Sequence, residues 1–292
     1  MTKWVNRAGF LLCAALAALL LLAGVQVNSA GFGLYSWDED ALEAGGEAEA
    51  LAACIKEAGV KRVYQEFSKE NLEDGAAEAF VKRLKKQSVE VFALFGAEEW
   101  ARDKKGETVI KTMRRVARYN EGKSRSARIT GVMVDVEPYL LDEWDEGSRA
   151  RRKLMENYLS SMEAAYAYAE EHDLELWLCI PNFYDTGFED ILESLISDAC
   201  DGIAVMNYNR TDEYMQIAKE VGLAREYGKG VECIFELQEP HQHELEEINT
   251  YAGVGLDALW RSAARLEKQF GYDRLRFAYH YYRPLQRMLE EE

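Results

Sequence analysis

The sequence predicts a single α/β domain, a closed (β/α)8 barrel, and three observations point to it. From residue 31 to the end, strand-like and helix-like stretches alternate, which argues a parallel sheet with helical crossovers. About eight such strands can be counted, the number that closes a barrel. Polar and aromatic residues gather at the strands' C-terminal ends, where a barrel of this kind carries its chemistry. A doubly wound open sheet is the competing architecture, but it needs a glycine-rich phosphate turn after strand one, and none is there. No composition shift, linker or repeat in residues 31–292 marks a second domain.

Residues 1–30 stand apart from the barrel. Lys3 and Arg7 precede an apolar run from Ala8 to about Val27, and the small residues Ser29 and Ala30 follow. That is the layout of a secretory signal peptide. The run is also close to the ~20 residues of a membrane span, so an uncleaved N-terminal anchor is the alternative. The protein is expected to be secreted, or tethered to the outer face of the membrane by this segment alone.

The elements follow in order. Strand one is Gly31 to Trp37, and a helix runs from Glu47 to Ala58 with Gly59 as its stop. Strand two is Arg62 to Phe67, and a helix from Glu73 to Gln87 follows it. Leu72, Ala76, Phe80 and Leu84 mark that helix's apolar stripe. Strand three is Val89 to Phe95, closed by Gly96, and helix three spans Glu107 to Tyr119. Strand four ends at Glu137, where Pro138 stops the ladder because it has no N–H to donate. Helix four, Ser148 to His172, carries the stripe Leu154, Tyr158, Met162, Ala165 and Ala169. Strand five is Glu175 to Ile180 and helix five is Phe188 to Ser197. Strand six is Gly202 to Met206 and helix six is Asp212 to Leu223. Strand seven is Val231 to Leu237, and a long loop leads to helix seven, Gly255 to Phe270. Strand eight is Leu275 to Tyr281, and a short tail helix ends the chain.

Charge narrows the partners. The net charge is −17 from 52 acids and 35 bases. Such a surface repels phosphate backbones, so nucleic acid is not an expected partner. Neutral or cationic ligands suit it. The basic run Arg149, Arg151, Arg152 and Lys153 reads as a solvated helix face. Beyond the N-terminal segment four cysteines remain, Cys54, Cys179, Cys200 and Cys233. They fall inside predicted strands and helices with no metal-ligand spacing, which favours buried free thiols.

The stretch Ile129 to Tyr139, Ile-Thr-Gly-Val-Met-Val-Asp-Val-Glu-Pro-Tyr, carries the chemistry. Side chains alternate along a strand, so Val132, Val134 and Val136 share one face and Gly131, Met133, Asp135 and Glu137 the other. An apolar back with two carboxylates at the open end is what a barrel enzyme needs. Other strand ends supply Trp37, Glu66, Trp100, Tyr139, Asn182, Asn207, Tyr208, Glu236, Gln238, His280 and Tyr281. Carboxylates walled by aromatics suit sugar chemistry, because acids transfer protons and flat rings cover the apolar faces of pyranoses. The expected partner is therefore a carbohydrate, oligomeric or polymeric.

Here the chain resembles the glycoside hydrolase family 18 chitinases. Thr130 to Glu137 sits where that family has a strand-four run of four spaced acids. Val205-Met206-Asn207-Tyr208-Asn209 resembles its strand-six Met-x-Tyr-Asp/Asn element, and Ile180-Pro181 its apolar-Pro ending of strand five. The resemblance implies that Glu137 protonates the glycosidic oxygen. It implies that Asp135 orients the substrate's acetamido group, whose oxygen attacks the sugar carbon, and that Tyr208 supports that group. The chain departs from the pattern at Thr130 and Met133, where the family has acids. Tyr279, His280 and Tyr281 occupy the region of its last-strand tryptophan.

Three other readings stay open. Loss of acids at Thr130 and Met133 suits a catalytically silent carbohydrate-binding barrel. A cell-surface structural protein with no sugar site is another. The chain also looks like the large barrel glycosidase clan with glutamates on strands four and seven. Glu137 would then be acid/base and Glu236 nucleophile, with carboxyls ~5–5.5 Å apart. Val136 stands where that clan has Asn. No cofactor is expected. His241, His243 and Glu244 form a weak metal pattern without an evident third ligand, and no metal site is expected. Asn209-Arg210-Thr211 matches a glycosylation acceptor.

Overall fold

The computed structural model describes residues 31–43, 45–242 and 245–291. The N-terminal segment, His243 and Glu244 lie outside the described residues. Eight parallel strands close into a barrel in chain order. They are β1 (Phe32–Ser36), β2 (Val60–Glu66), β3 (Glu90–Phe95), β4 (Gly131–Asp135), β5 (Glu175–Pro181), β6 (Gly202–Met206), β7 (Gly230–Glu236) and β8 (Leu275–His280). The helices are α1 (Gly46–Glu57), α2 (Lys69–Asp74), α3 (Ala76–Lys85), α4 (Glu107–Asn120), α5 (Ser148–Glu171), α6 (Glu189–Asp198), α7 (Ala218–Tyr227), α8 (Leu256–Phe270) and α9 (Tyr282–Glu291). Among the described residues no helix is long and apolar enough to cross a membrane.

Two expected helices differ. The single helix of Glu73 to Gln87 is two, because Gly75 adopts φ 96° between them and breaks the hydrogen-bond ladder. Ser68 caps α2 through a reciprocal box with Asn71. The helix expected over Asp212 to Leu223 begins late and ends late. A 3-10 turn, Met215–Ile217, precedes α7, which stops at Gly228 in the left-handed region.

Strand alternation sorts the core into two layers. Val132, Val134 and Val136 pack outward with Phe80, Leu154, Tyr158 and Met162 between sheet and helices. Tyr35, Tyr64, Phe92, Met133, Trp177 and Ile234 fill the barrel interior. Trp177 needs the space that two glycines, Gly202 and Gly230, leave open on its side of the barrel. A Cβ at Gly202 would meet its ring at 2.7 Å and one at Gly230 at 2.4 Å. Below this layer lies a buried charged network. Arg62 bonds the Tyr64 hydroxyl at 3.3 Å and Glu90 at 3.2 Å, and Tyr64 donates to Glu232 at 2.8 Å. Arg62 also lies over the Phe92 and Trp177 rings. Each member has a partner, the condition under which buried charge is tolerated. The four cysteines of the described residues are free and buried.

Candidate active site

Three strand ends and one glycine build the mouth of the barrel. Asp135 ends β4 and Glu137 follows one alternation later, so both side chains lie on the inward face with Met133. Gly96, just past β3, lets its backbone lie against the Asp135 carbonyl. A Cβ there would come within 1.6 Å of that oxygen. The result is a cavity of about 270 Å³ lined by Trp37, Glu66, Phe95, Gly96, Glu98, Asp135 and Glu137, among others. A neighbouring recess of about 400 Å³ shares Trp37 and adds Tyr281.

Burial, then the charge of Asp135, pushes the Glu137 carboxyl up to about 7, while His280 opposes the rise. Tyr139 donates its hydroxyl to Glu137 Oε2 and also contacts Met206 Sδ at 3.9 Å. Burial likewise raises Asp135 above the usual carboxylate range, against a hydrogen bond from the Cys179 thiol and the charge of His280. Asp135 Oδ1 is sealed from solvent and has no hydrogen-bond partner. Glu66 is also raised, by partial burial and by Glu39.

Glu236 faces inward but is closed to substrate. It is 1% exposed. Its Oε1 accepts from the backbone N–H groups of Leu237 and Gln238, each at 2.8 Å. Its Oε2 meets Gln238 Nε2 at 3.3 Å and His280 Nδ1 at 2.8 Å. Burial alone would lift this carboxyl, but His280 and the amides pull it below its ordinary value. Every direction is occupied by a donor, so Glu236 is a support for His280 rather than a free nucleophile.

Rings surround His280. Trp37 stands edge-on to it at 5.4 Å between centroids, Tyr35 at 6.0 Å and Tyr281 at 5.4 Å, and Tyr208 lies tilted to it at 6.0 Å. Tyr281 also packs edge-on to Trp37 at 5.7 Å. Trp37 itself stays 38% exposed. Trp37 is thus braced by His280 and Tyr281 on one side and open to solvent on the other.

Of the expected site residues, Trp37, Glu66, Asp135 and Glu137 line this cavity; Trp100, Asn182, Asn207 and Gln238 are among those that do not. Asn207 is 2% exposed and points outward, its Nδ2 on the Glu213 carbonyl at 2.9 Å and Cys233 Sγ at 3.3 Å. Trp100 packs on the outer core beside Phe95, centroids 6.2 Å apart. Gln238 spends its amide on Glu236. Asn182 opens the 3-10 turn Asn182–Asp185 after β5, half-buried and away from the cavity lining. The outward turn of Asn207 was readable from alternation, since Val205 and Asn207 share a phase opposite to Met206 and Tyr208. Cys179 and Glu98 were missed. Cys179 is the register partner of Asp135 across β4 and β5, and register between strands is not written in either strand alone. Glu98 begins a 3-10 turn, where strand parity gives no guidance.

No protein-family model matches the chain, and a search of curated proteins found no match. Solved structures do match. One is a candidate alpha-L-fucosidase from Bacteroides thetaiotaomicron, 12% identical, covering 90% of this chain and 91% of that one with a TM-score of 0.58. A GH18 chitinase from Pseudoalteromonas aurantia is 11% identical over 90% of this chain and 100% of its own, TM-score 0.54. A chitinase from Chromobacterium violaceum is 11% identical over 90% and 98%, TM-score 0.53. At these identities the likeness is one of fold. The chain is a (β/α)8 barrel whose fold is similar to that of these solved structures.

Proposed function

We propose that this barrel hydrolyses a glycan containing N-acetylated sugars, with Glu137 as general acid. The observation that carries the reading is the placement of Glu137. It lines a cavity together with an exposed tryptophan, and its carboxyl is raised to about 7, so a substantial share of it is protonated at neutral pH. Glu137 gives that proton to the glycosidic oxygen as the bond to the anomeric carbon breaks. Asp135 orients the substrate's acetamido group, whose oxygen attacks that carbon, the substrate-assisted route. Water then opens the cyclic intermediate, with the Glu137 carboxylate taking its proton.

The test is release of reducing ends from N-acetylglucosamine oligomers and aryl glycosides. Wild type turns over and Glu137→Gln does not, with binding retained in both. Binding without turnover in wild type supports the silent-barrel reading instead. Met133, apolar at an inward position where the family has an acid, is the observation that favours that second reading. The two-glutamate mechanism is disfavoured by the four donors on Glu236. We place the activity outside the cytoplasm, on the strength of the N-terminal apolar segment. Cell fractionation checks it, and a cytoplasmic pool of full-length protein rejects it.

A further inference from the structure

We propose that the outer face of α4 is a docking site for an acidic polysaccharide, whose anionic groups are held by Lys111, Arg114, Arg115 and Arg118. The site stands whether or not Glu137 cleaves a glycan, because its recess shares no lining residue with the cavity at the barrel mouth.

The helix sets the pattern. α4 buries Val109, Met113, Val116 and Ala117 against the barrel and turns its opposite face to solvent. Lys111, Arg114, Arg115 and Arg118 share that face, since positions three and four apart are neighbours on a helix, and all four are exposed. The helix carries these four cations against the single acid Glu107, in a chain whose net charge is −17. Charge elsewhere on the surface is screened beyond about 8 Å in physiological salt, so this face presents its own sign.

The arrangement destabilises the helix that bears it. Lys111 and Arg115, and Arg114 and Arg118, are like-charge pairs at i,i+4, and Lys111 and Arg114, and Arg115 and Arg118, are like-charge pairs at i,i+3. The nearby acids are engaged elsewhere, Glu73 with Lys69 at 3.9 Å and Glu107 with Lys105 at 3.7 Å. Among the described residues none of the four cations has an ion-pair or hydrogen-bond partner. A helix C-terminus favours cations, but of the four only Arg118 stands in the last turn. The charge that balances Lys111, Arg114 and Arg115 is left to a ligand.

Shape and reach point to a polymer. Between α2 and α4 lies a recess of about 480 Å³ lined by Lys69, Lys111, Arg114, Arg115, Arg118 and Tyr119, among others. From Lys111 to Arg118 the row runs about 10 Å along the helix axis. A row of that length matches repeated negative charge rather than a single ion. Three of the four cations are arginine, whose planar fork grips two oxygens of a carboxylate at once. A bilayer is a poorer match. Helices that lie on one carry exposed apolar residues beside the basic ones, and none of the large hydrophobics exposed among the described residues belongs to α2 or α4. Single-stranded nucleic acid needs open rings for its bases, and Tyr119 is buried with its hydroxyl on the Ala127 carbonyl.

The test is binding of the full chain to polygalacturonate and to dextran sulfate, followed by affinity electrophoresis over a salt series, with neutral dextran as the control. Wild type is retarded by the acidic polymers, less so as salt rises, and is not retarded by dextran. Arg114→Gln with Arg118→Gln weakens binding about tenfold. Arg149→Gln with Lys153→Gln, which takes the same charge from α5, leaves it within about twofold. Glutamine keeps the helix, and relief of the like-charge pairs leaves the α4 variant melting no lower than wild type, so lost binding is not lost fold. Arg115→Gln alone, with a loss of about threefold, serves if the double variant fails to fold. Equal weakening in the α4 and α5 variants, or no retardation of wild type at low salt, overturns the proposal. So does tighter binding to phosphatidylglycerol vesicles or to single-stranded DNA than to either polysaccharide, which gives the face to a membrane or to nucleic acid.

Discussion

Tyr139 donates its hydroxyl to the carboxyl of Glu137 from two residues along the same turn. Pro138 between them starts the 3-10 turn Pro138–Leu140 that curls the phenol back over the acid. Removing the hydroxyl leaves the carboxyl free to rotate. Tyr139→Phe is expected to lower kcat/KM about tenfold, or about 1.4 kcal/mol, with unfolding unchanged. Steady-state kinetics beside a urea melt check it.

The pH dependence follows from the two β4 carboxyls. In the proposed mechanism Glu137 must be protonated to act, and its carboxyl is raised to about 7, so the alkaline limb of kcat/KM falls through about pH 7. Asp135 must be ionised, and burial raises it, so the acid limb lies above the ordinary aspartate range. A kcat/KM profile with its alkaline limb two units higher contradicts the assignment of Glu137 as the acid.

Trp37 is open to solvent on one side and braced by His280 and Tyr281 on the other. Trp37→Ala should weaken glycan binding about tenfold while leaving the fold intact, because stacking contributes about 1 kcal/mol or more. Calorimetric titration of an N-acetylated oligomer into Glu137→Gln, with and without the tryptophan, measures it.

Gly202 makes room for Trp177 in the barrel interior. Gly202→Ala puts a methyl 2.7 Å from two atoms of that ring and 2.8 Å from a third, and Trp177 is 3% exposed. The expected cost is about 1–3 kcal/mol in urea unfolding, the range of overpacked cores.

Glu220 on α7 is fully buried, neither carboxyl oxygen has a hydrogen-bond partner, and burial lifts its carboxyl to about 8. The folded chain then holds a proton that the unfolded chain releases at about 4.5. Stability falls as pH rises between those values. Glu220→Met is expected to stabilise by about 2 kcal/mol at pH 8, with the gain shrinking toward pH 5. Urea midpoints at the two pH values decide it.

Parity along single strands carried most of the candidate site. Asp135, Glu236 and His280, together with Glu137 and Trp37 just past the ends of β4 and β1, lie an even number of positions from an interior residue of the strand they end or follow. Residues on the 3-10 turn after β3 escaped that rule. Trp100 lies on a 3-10 turn and packs away from the mouth, and Glu98, on the same turn, lines it.

The sequence by itself determined the barrel, the order of its strands and which residues could look into the mouth. These depend on hydrophobic period, which is local. Partnership came from closure and register. Only the folded ring seats Glu236 against His280, sets Cys179 beside Asp135, and brings Trp37 of the first strand against the last. Those contacts join residues up to hundreds of positions apart, and no pattern within one strand encodes which neighbour a side chain will meet.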